Sequence, residues 1–301
     1  MTDGLKYRID KSIALLRKAE RIAKMYDPEN GFYLAFSGGK DSQALYHIAQ
    51  MAGVQFKAHF SPTTVDPPQL IRFIRRQYPD VEFRKVKMSM YDMALKKGCL
   101  PTMRIRWCCA EYKETAGDGK VTLIGIRHEE SSRRAARNEV EISRHKFSGD
   151  FGQFEEYRDN FTQGKETEVR CMSGKDSLLI SPIIEWTTRD VWEFLNEVVQ
   201  VPHCELYDPP YNQHRIGCIL CPMASHKRKI KDCELFPHAK KRWIETIEKL
   251  MQSDTKWQDN RGGKRQRKSS RGGLAACLTR NFRSGNQCRL YLKQIQKDSI
   301  Y

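Results

Sequence analysis

Apolar residues recur at helical spacing near the start of the chain and then fall into short runs that alternate with helical segments. Between residues 5 and 26, the repeating apolar positions predict one amphipathic helix: Leu5, Ile9, Ile13, Leu16, Ile22 and Met25. Pro28 and Gly31 end this helix. The later strand-like runs are 31–36, 53–60, 81–86, 121–126 and 178–184, and the helical segments are 43–51, 69–77, 88–97 and 187–199.

This alternation predicts an α/β, Rossmann-like domain: a parallel sheet with helices on both faces, which binds ligands at the carboxyl ends of its strands. We expect an N-terminal helix over 1–30, a nucleotide-binding domain over 31–222 and a basic C-terminal helical region and tail over 223–301. Between 127 and 178 the pattern breaks down into polar sequence with scattered glycines. That stretch predicts a lid or an insertion beside the site.

A glycine-rich turn, Ser37-Gly-Gly-Lys-Asp-Ser42, joins the strand over 31–36 to the next helix. Such a turn leaves backbone N–H groups at the helix start, where the helix dipole favours an anion. The two glycines let a phosphate approach the backbone closely, and Ser37 and Ser42 offer hydroxyls. The spacing of a Walker A loop is absent. The turn therefore predicts a phosphate site of another kind, with an ordinary ligand-free turn as the alternative.

Two cysteine pairs, Cys108-Cys109 and Cys218-Ile-Leu-Cys221, form the second group of chemical interest. A C-x-x-C pair holds two thiolates close enough for one metal centre, and four thiolates are the usual ligands of a 4Fe–4S cluster or a structural zinc. Adjacent cysteines are unusual for zinc, whose ligand pairs are generally spaced by two to four residues. From the residues alone, a cluster, a zinc site and four plain thiols without a metal all stay open.

The two features together resemble a known family. The Ser37–Ser42 turn resembles the PP-loop, the SGGxDS signature of ATP pyrophosphatases. A CC…CxxC arrangement on such a domain is similar to the iron–sulfur branch of the adenylylsulfate and phosphoadenylylsulfate (PAPS) reductase family. Residues 63–68, 125–134 and 181–192 resemble further segments of that family, so the resemblance runs from about residue 32 to 222. It implies a PP-loop adenine nucleotide α-hydrolase-like fold.

The resemblance also implies the cofactors and the site residues. A 4Fe–4S cluster would be held by Cys108, Cys109, Cys218 and Cys221. ATP with Mg²⁺ would be bound by Ser37, Gly38, Gly39, Lys40, Asp41, Ser42, Thr64, Arg127 and Arg133. The implied catalytic residues are Lys40, Asp41 and Arg127. Lys40 and the arginines would neutralise charge on the leaving group, and Asp41 would place Mg²⁺ or order the loop.

Two departures from the sulfite-producing reductases decide between activities. Neither Cys277 nor Cys288 lies in the C-terminal catalytic cysteine motif of those reductases, and the loop keeps the complete ATP-pyrophosphatase form. We therefore expect an ATP-dependent enzyme that adenylylates a substrate and supports sulfur transfer, as in DNA phosphorothioation and tRNA thiolation, with a sulfur- or electron-donor protein as partner. The alternatives are an adenylylsulfate or PAPS reductase using Cys277 or Cys288, and a non-catalytic regulator that senses nucleotide or binds nucleic acid.

The charge of the chain is concentrated near its C-terminus. The formal net charge is +16, and residues 222–301 hold 20 Lys and Arg against 7 Asp and Glu. This excess predicts a polyanionic partner, tRNA or DNA, with a solubilising tail as the alternative. The sequence has no apolar run of about 18 residues and no apolar secretory segment near Met1, so we expect a cytoplasmic protein without a membrane partner.

Overall fold

The computed structural model describes residues 1–114, 116–143, 146–162 and 176–259, and its central element is a seven-stranded sheet. The strand order is β3-β2-β1-β4-β7-β5-β6. The strands β1 to β4 and β7 pair in parallel, whereas β5 pairs antiparallel with both β7 and β6. The strands are β1 (Phe32–Phe36), β2 (Phe56–Phe60), β3 (Glu82–Phe83), β4 (Val121–Leu123), β5 (Val140–Ile142), β6 (Phe147–Gly149) and β7 (Leu178–Ile180).

Ten α-helices accompany the strands within the described residues, together with short 3-10 segments at His128–Glu130 and Glu205–Tyr207 and π-helical turns at Ala110–Glu114 and Phe194–Val198. The α-helices are α1 (Asp3–Tyr26), α2 (Lys40–Ala52), α3 (Pro68–Gln77), α4 (Met90–Lys97), α5 (Trp107–Cys109), α6 (Ser132–Ala135), α7 (Phe151–Thr162), α8 (Thr188–Glu193), α9 (His226–Leu235) and α10 (Pro237–Asp259). A mostly parallel sheet with helices confirms the predicted α/β class.

The chain forms two compact units that interleave along the sequence. The first comprises Met1–Pro62, Pro68–Lys85 and Tyr112–Ile216 and holds the whole sheet. The second comprises Thr63–Pro67, Val86–Glu111 and the chain from Gly217 onward, and its helices include α4, α5, α9 and α10. The domain boundaries predicted at residues 30 and 222 stay a prediction.

In the first unit, the parallel strands are buried and apolar, as a sheet covered by helices requires. Leu34, Leu123 and Ile180 on neighbouring strands are fully buried. The helix α1 begins after Thr2, whose hydroxyl accepts a hydrogen bond from Leu5 N, and it packs against α2. Because β1 lies between β2 and β4, the chain order reverses there, and the loops that follow β1 and β4 flank one crevice.

The second unit is a small helical assembly. Ser89 caps the start of α4, and Gly98, in the left-handed conformation, ends it. The ring of Tyr91 on α4 contacts the ring of Trp243 on α10 at 4.9 Å between centroids, and the Arg242 guanidinium lies 4.3 Å from the Tyr91 centroid. These contacts join α4 to α10.

The region over 127–178, predicted as a lid or an insertion, contributes regular structure where it is described. Its strands β5 and β6 extend the sheet beyond β7, and α6 and α7 belong to the same stretch. Its role as a lid stays a prediction. Among the described residues, no helix is both long enough and apolar enough to cross a membrane.

Candidate functional site

The Ser37–Ser42 loop lies at the carboxyl end of β1 and opens α2, as the sequence predicts. Gly38 has a φ of 72°, a conformation that glycine adopts without strain. A Cβ at Gly38 would lie 2.6 Å from Leu70 Cδ1 and 2.8 Å from Ile74 Cδ1, so the turn packs tightly on α3. Ser42 Oγ donates to the Gly39 carbonyl at 2.9 Å and lies 3.1 Å from Ser37 Oγ. The two serines thus hold the loop closed on itself.

Close packing also joins the loop to the segment after β4. A Cβ at Gly125 would lie 2.9 Å from the Asp41 carbonyl oxygen, so only glycine allows this approach. Two residues later, Arg127 Nε donates to Asp41 Oδ1 at 2.7 Å, and Lys40 Nζ lies 3.0 Å from Asp41 Oδ2. One carboxylate therefore bridges a lysine of the loop and an arginine that follows the neighbouring strand.

Arg127 is held by protein groups on all sides. Its exposed fraction is 2%, and Nη1 donates to Glu129 Oε2 at 3.0 Å and to the Trp186 carbonyl at 3.1 Å. Nη2 donates to Thr188 Oγ1 at 3.2 Å. Since a guanidinium has five N–H donors, four of them are engaged within the protein. This geometry favours a structural role for Arg127, as the support of Asp41; its predicted contact with phosphate stays a prediction.

The neighbouring arginines differ sharply in their surroundings. Arg133, predicted to bind ATP, is exposed. Arg134 is half-buried and forms an ion pair with Glu130, which also lies 3.5 Å from Arg215. Burial and the nearby charge of Arg215 lower the pKa of Arg134, and Glu130 and Asp41 oppose that shift. Two guanidinium groups thus share Glu130, and Arg134 also interacts with the charge of Asp41 in the loop; guanidinium groups of this kind are suited to bind an anion.

Tyr207 is a loop contact that sequence reasoning missed. Its hydroxyl accepts a hydrogen bond from Lys40 N at 2.8 Å, at the first amide of α2. Burial raises the pKa of Tyr207, so the phenol stays neutral. The ring packs edge-on against Trp192 at 5.0 Å between centroids. No local motif signals this contact, because Tyr207 lies 167 residues from Lys40 along the chain.

Thr64, also predicted to bind ATP, belongs to the second unit. Its backbone has a φ of 65°, and its hydroxyl accepts a hydrogen bond from Met90 N at 2.8 Å. The hydroxyl therefore anchors the start of α4. A part for Thr64 in nucleotide binding stays a prediction.

Both cysteine pairs lie in the second unit and share one neighbourhood. A hydrogen bond with Cys109, burial, and the charges of Cys109, Cys218 and Cys221 together raise the pKa of Cys108. Arg106 Nη2 donates to Cys109 Sγ at 3.4 Å, and Thr63 Oγ1 lies 3.3 Å from Cys218 Sγ. Four thiols that interact with one another match the donor set of a cluster or of zinc.

The positions of these cysteine side chains nevertheless fall short of a complete metal site. Among the described residues, no three His, Cys, Asp or Glu side chains converge closely enough to hold one metal ion. The four thiols therefore match a four-thiolate centre in chemistry and lie near one another, whereas their side chains do not form a complete ligand geometry. The unassigned Cys277 and Cys288 lie outside the described residues, as does the densest basic stretch, Lys264, Arg265, Arg267, Lys268 and Arg271.

Residues 31–224 match the family model of the phosphoadenosine phosphosulfate reductase domain. The matched segment is more than half of the chain and contains the loop, the arginine segment and both cysteine pairs. The chain therefore belongs to the PAPS reductase family. This confirms the resemblance drawn from the motifs.

One curated relative of this chain is distant in sequence. "Uncharacterized protein MJ0973" from Methanocaldococcus jannaschii is 25% identical over 247 residues, which are 80% of this chain and 53% of that protein. The chain thus spans about half the length of this curated relative.

Solved structures share low similarity with this chain. The PAPS reductase from Candida auris, in a phosphate complex, is 18% identical, with a TM-score of 0.42 over 72% of this chain and 96% of that one. The U34-tRNA thiolase NcsA from Methanococcus maripaludis, with its 4Fe–4S cluster, is 10% identical, with a TM-score of 0.35 over 92% and 89%. Similarity at this level carries no argument about function.

Proposed function

We propose that this chain is an ATP pyrophosphatase that adenylylates a nucleic-acid substrate and supports sulfur transfer to it, with a 4Fe–4S cluster as cofactor. The observation that carries the proposal is the closed Ser37–Ser42 loop at the start of α2, where Asp41 joins Lys40 to Arg127. This loop offers backbone amides and charged groups to which the phosphates of a nucleoside triphosphate would bind.

The proposed reaction is an adenylyl transfer in which pyrophosphate is the leaving group. An oxygen of the acceptor attacks the α-phosphorus of ATP, and the bond from that phosphorus to the bridging oxygen of pyrophosphate breaks. Pyrophosphate leaves with the electron pair, and amides of the loop hold it at the helix start. Lys40 and the exposed Arg133 neutralise its growing charge, with Arg134 and Arg215 as further cations nearby. Asp41 orders the loop through Lys40 and Arg127, or would help to place Mg²⁺. A sulfur donor then displaces AMP from the activated acceptor.

The cysteine pairs would hold the cluster, with Cys108 and Cys109 from one segment and Cys218 and Cys221 from the other. When bound, a cluster supplies iron that can bind sulfur or exchange electrons. The hydrogen bond with Cys109 and burial raise the pKa of Cys108, and a metal binds the thiolate, so ligation would release a proton. Arg106 donates to Cys109 Sγ and would stabilise the resulting thiolate.

Charge supports a nucleic acid as the acceptor. The basic excess of residues 222–301 extends into the described helices, where Lys227, Lys241, Arg242 and Lys249 are exposed. Such a surface binds phosphates by releasing counterions, largely without reading sequence. The second candidate, an adenylylsulfate or PAPS reductase, is favoured by the family match itself.

Anaerobic incubation of the full chain separates the two activities. With ATP, a persulfide donor and tRNA or duplex DNA, we expect sulfur in the nucleic acid, measured by mass spectrometry of its nucleosides. With adenylylsulfate or PAPS and a thiol donor, we expect no sulfite. Sulfite release without nucleic-acid modification would establish the reductase instead.

Changing Lys264, Arg265, Arg267, Lys268 and Arg271 to Ser should weaken nucleic-acid binding. The slope of log affinity against log salt concentration should become shallower by up to about four.

A further inference from the structure

The Cys218–Cys221 loop has an unusual backbone for its two intervening residues. Ile219 N donates to the Val65 carbonyl at 2.8 Å, and the next residue, Leu220, has a φ of 55°. That left-handed conformation is unfavourable for a residue other than glycine. Ala224 N donates to the Cys221 carbonyl at 2.9 Å and closes the turn that follows. The loop is therefore fixed in a conformation that Leu220 does not favour by itself.

A buried carboxylate on α9 holds this conformation. Asp232 is fully buried, and its Oδ2 accepts a hydrogen bond from Leu220 N at 2.9 Å. Its Oδ1 accepts from Arg228 Nε at 2.6 Å, one turn earlier on the same helix. Lys229 Nζ donates to the Pro222 carbonyl at 3.3 Å, which is a second link from α9 to the loop.

Burying a carboxylate is costly unless hydrogen bonds compensate it. Here the compensation comes from one guanidinium and from the backbone amide that lies between two cysteines. An apolar residue at position 232 would pack in the same place, but it could not accept a hydrogen bond from Leu220 N. The Asp232 carboxylate therefore supplies the acceptor that the Leu220 N–H needs in this conformation of the loop.

We propose that Asp232 is a positioning residue that shapes the Cys218–Cys221 loop for a metal centre. This inference rests on the proposed cofactor. By fixing Leu220, Asp232 sets the directions in which the flanking cysteines leave the backbone. It also places a carboxylate at the amide of Leu220, one residue from Cys221, where its negative charge would disfavour addition of an electron to a cluster held there. Residues outside the ligand shell that orient ligands typically change metal affinity by about 10- to 100-fold when they are mutated.

Cobalt binding to the anaerobic, iron-free full chain tests this inference, because Co²⁺ bound to thiolates has its own absorption band. We expect Asp232→Ala to weaken Co²⁺ binding by about 10- to 100-fold. Asp232→Asn keeps an acceptor for Leu220 N and should bind Co²⁺ nearly as wild type does. If Asp232→Ala does not fold, Asp232→Ser replaces it, since a Ser hydroxyl is too short to reach that amide.

Asp190 supplies the matched control in the first unit. It is also a buried aspartate: it accepts a backbone hydrogen bond from Thr187 N at 2.7 Å and lies 3.4 Å from Arg8 Nη1. Asp190→Ala should lower stability without changing Co²⁺ affinity.

In the chain loaded with the cluster, Asp232→Asn should shift the reduction potential of the cluster to more positive values, because a negative charge is lost beside the cluster.

The possible outcomes separate the two claims. Equal Co²⁺ affinity and equal potential for wild type and the Asp232 variants would overturn the positioning role while leaving the cofactor in place. A wild-type chain that takes up neither Co²⁺ nor iron through its cysteines would overturn the cofactor, and this inference with it.

Discussion

Replacing Arg127 with alanine is expected to lower the free energy of unfolding by about 3 to 5 kcal/mol, the usual effect of removing one partner of a buried ion pair. Arg127 is almost fully buried, and its guanidinium contacts Asp41, Glu129, the Trp186 carbonyl and Thr188. The substitution removes all four contacts together and leaves a cavity beside the loop. Chemical denaturation monitored by circular dichroism measures the change.

Arg133, six residues further along the same motif, provides the control. Because it is exposed, Arg133→Ala should change stability by less than about 0.5 kcal/mol. If Arg133 binds phosphate, the same substitution should weaken ATP binding by about tenfold or more. An Arg127→Ala variant as stable as wild type, with only its ATP affinity reduced, would instead make Arg127 a direct phosphate ligand.

Loss of a single cysteine from either pair should remove the cluster. The anaerobic wild-type chain is expected to be brown and to contain about four iron and four sulfide per chain. Cys109→Ser and Cys218→Ser each remove one ligand from a different pair, so both variants should be colourless after reconstitution. Iron and sulfide analysis, together with the absorption spectrum, provides the measurement.

Cys99→Ser is the matched control, since Cys99 lies in the same unit as the two pairs and outside the proposed ligand set. It should retain the full iron content. A colourless wild-type chain with one stoichiometric zinc would replace the cluster by a zinc site. Equal iron loss in the Cys99 variant would show that the ligand set is wrongly chosen.

Local sequence patterns predicted the helices and strands around the Ser37–Ser42 loop. The apolar periodicity over 5–26 predicts α1, which spans Asp3–Tyr26. Its buried face includes the expected Leu5, Ile9, Leu16 and Ile22 and also Ser12 and Leu15, whereas the expected Ile13 and Met25 are only half-buried. Ser12 is polar and was not expected in the core. It is buried because its hydroxyl donates to the Pro182 carbonyl and accepts from Trp186 Nε1, and both partners are distant in sequence.

Strand lengths and charge pairing were harder to predict, because neighbours distant in sequence decide them. The strand expected over 81–86 is reduced to Glu82–Phe83 at the sheet edge, where only β2 pairs with it among the described residues. The motif that includes Arg127 and Arg133 gave no sign that Arg127 is surrounded by protein acceptors. It also did not distinguish exposed Arg133 from half-buried Arg134, whose neighbours Glu130 and Arg215 are known only from the fold.

The product of ATP cleavage tests the central claim most directly. Anaerobic wild-type chain incubated with ATP, Mg²⁺ and nucleic acid should yield AMP and pyrophosphate, separated by anion-exchange chromatography. Gly38→Ala should abolish this turnover, because an alanine there is strained at a φ of 72° and its Cβ meets Leu70 and Ile74. Gly53→Ala has similar strain at a φ of 69° but open space around it, so it should retain turnover. ADP and phosphate as products, or equal turnover by the Gly38 variant, would contradict the account.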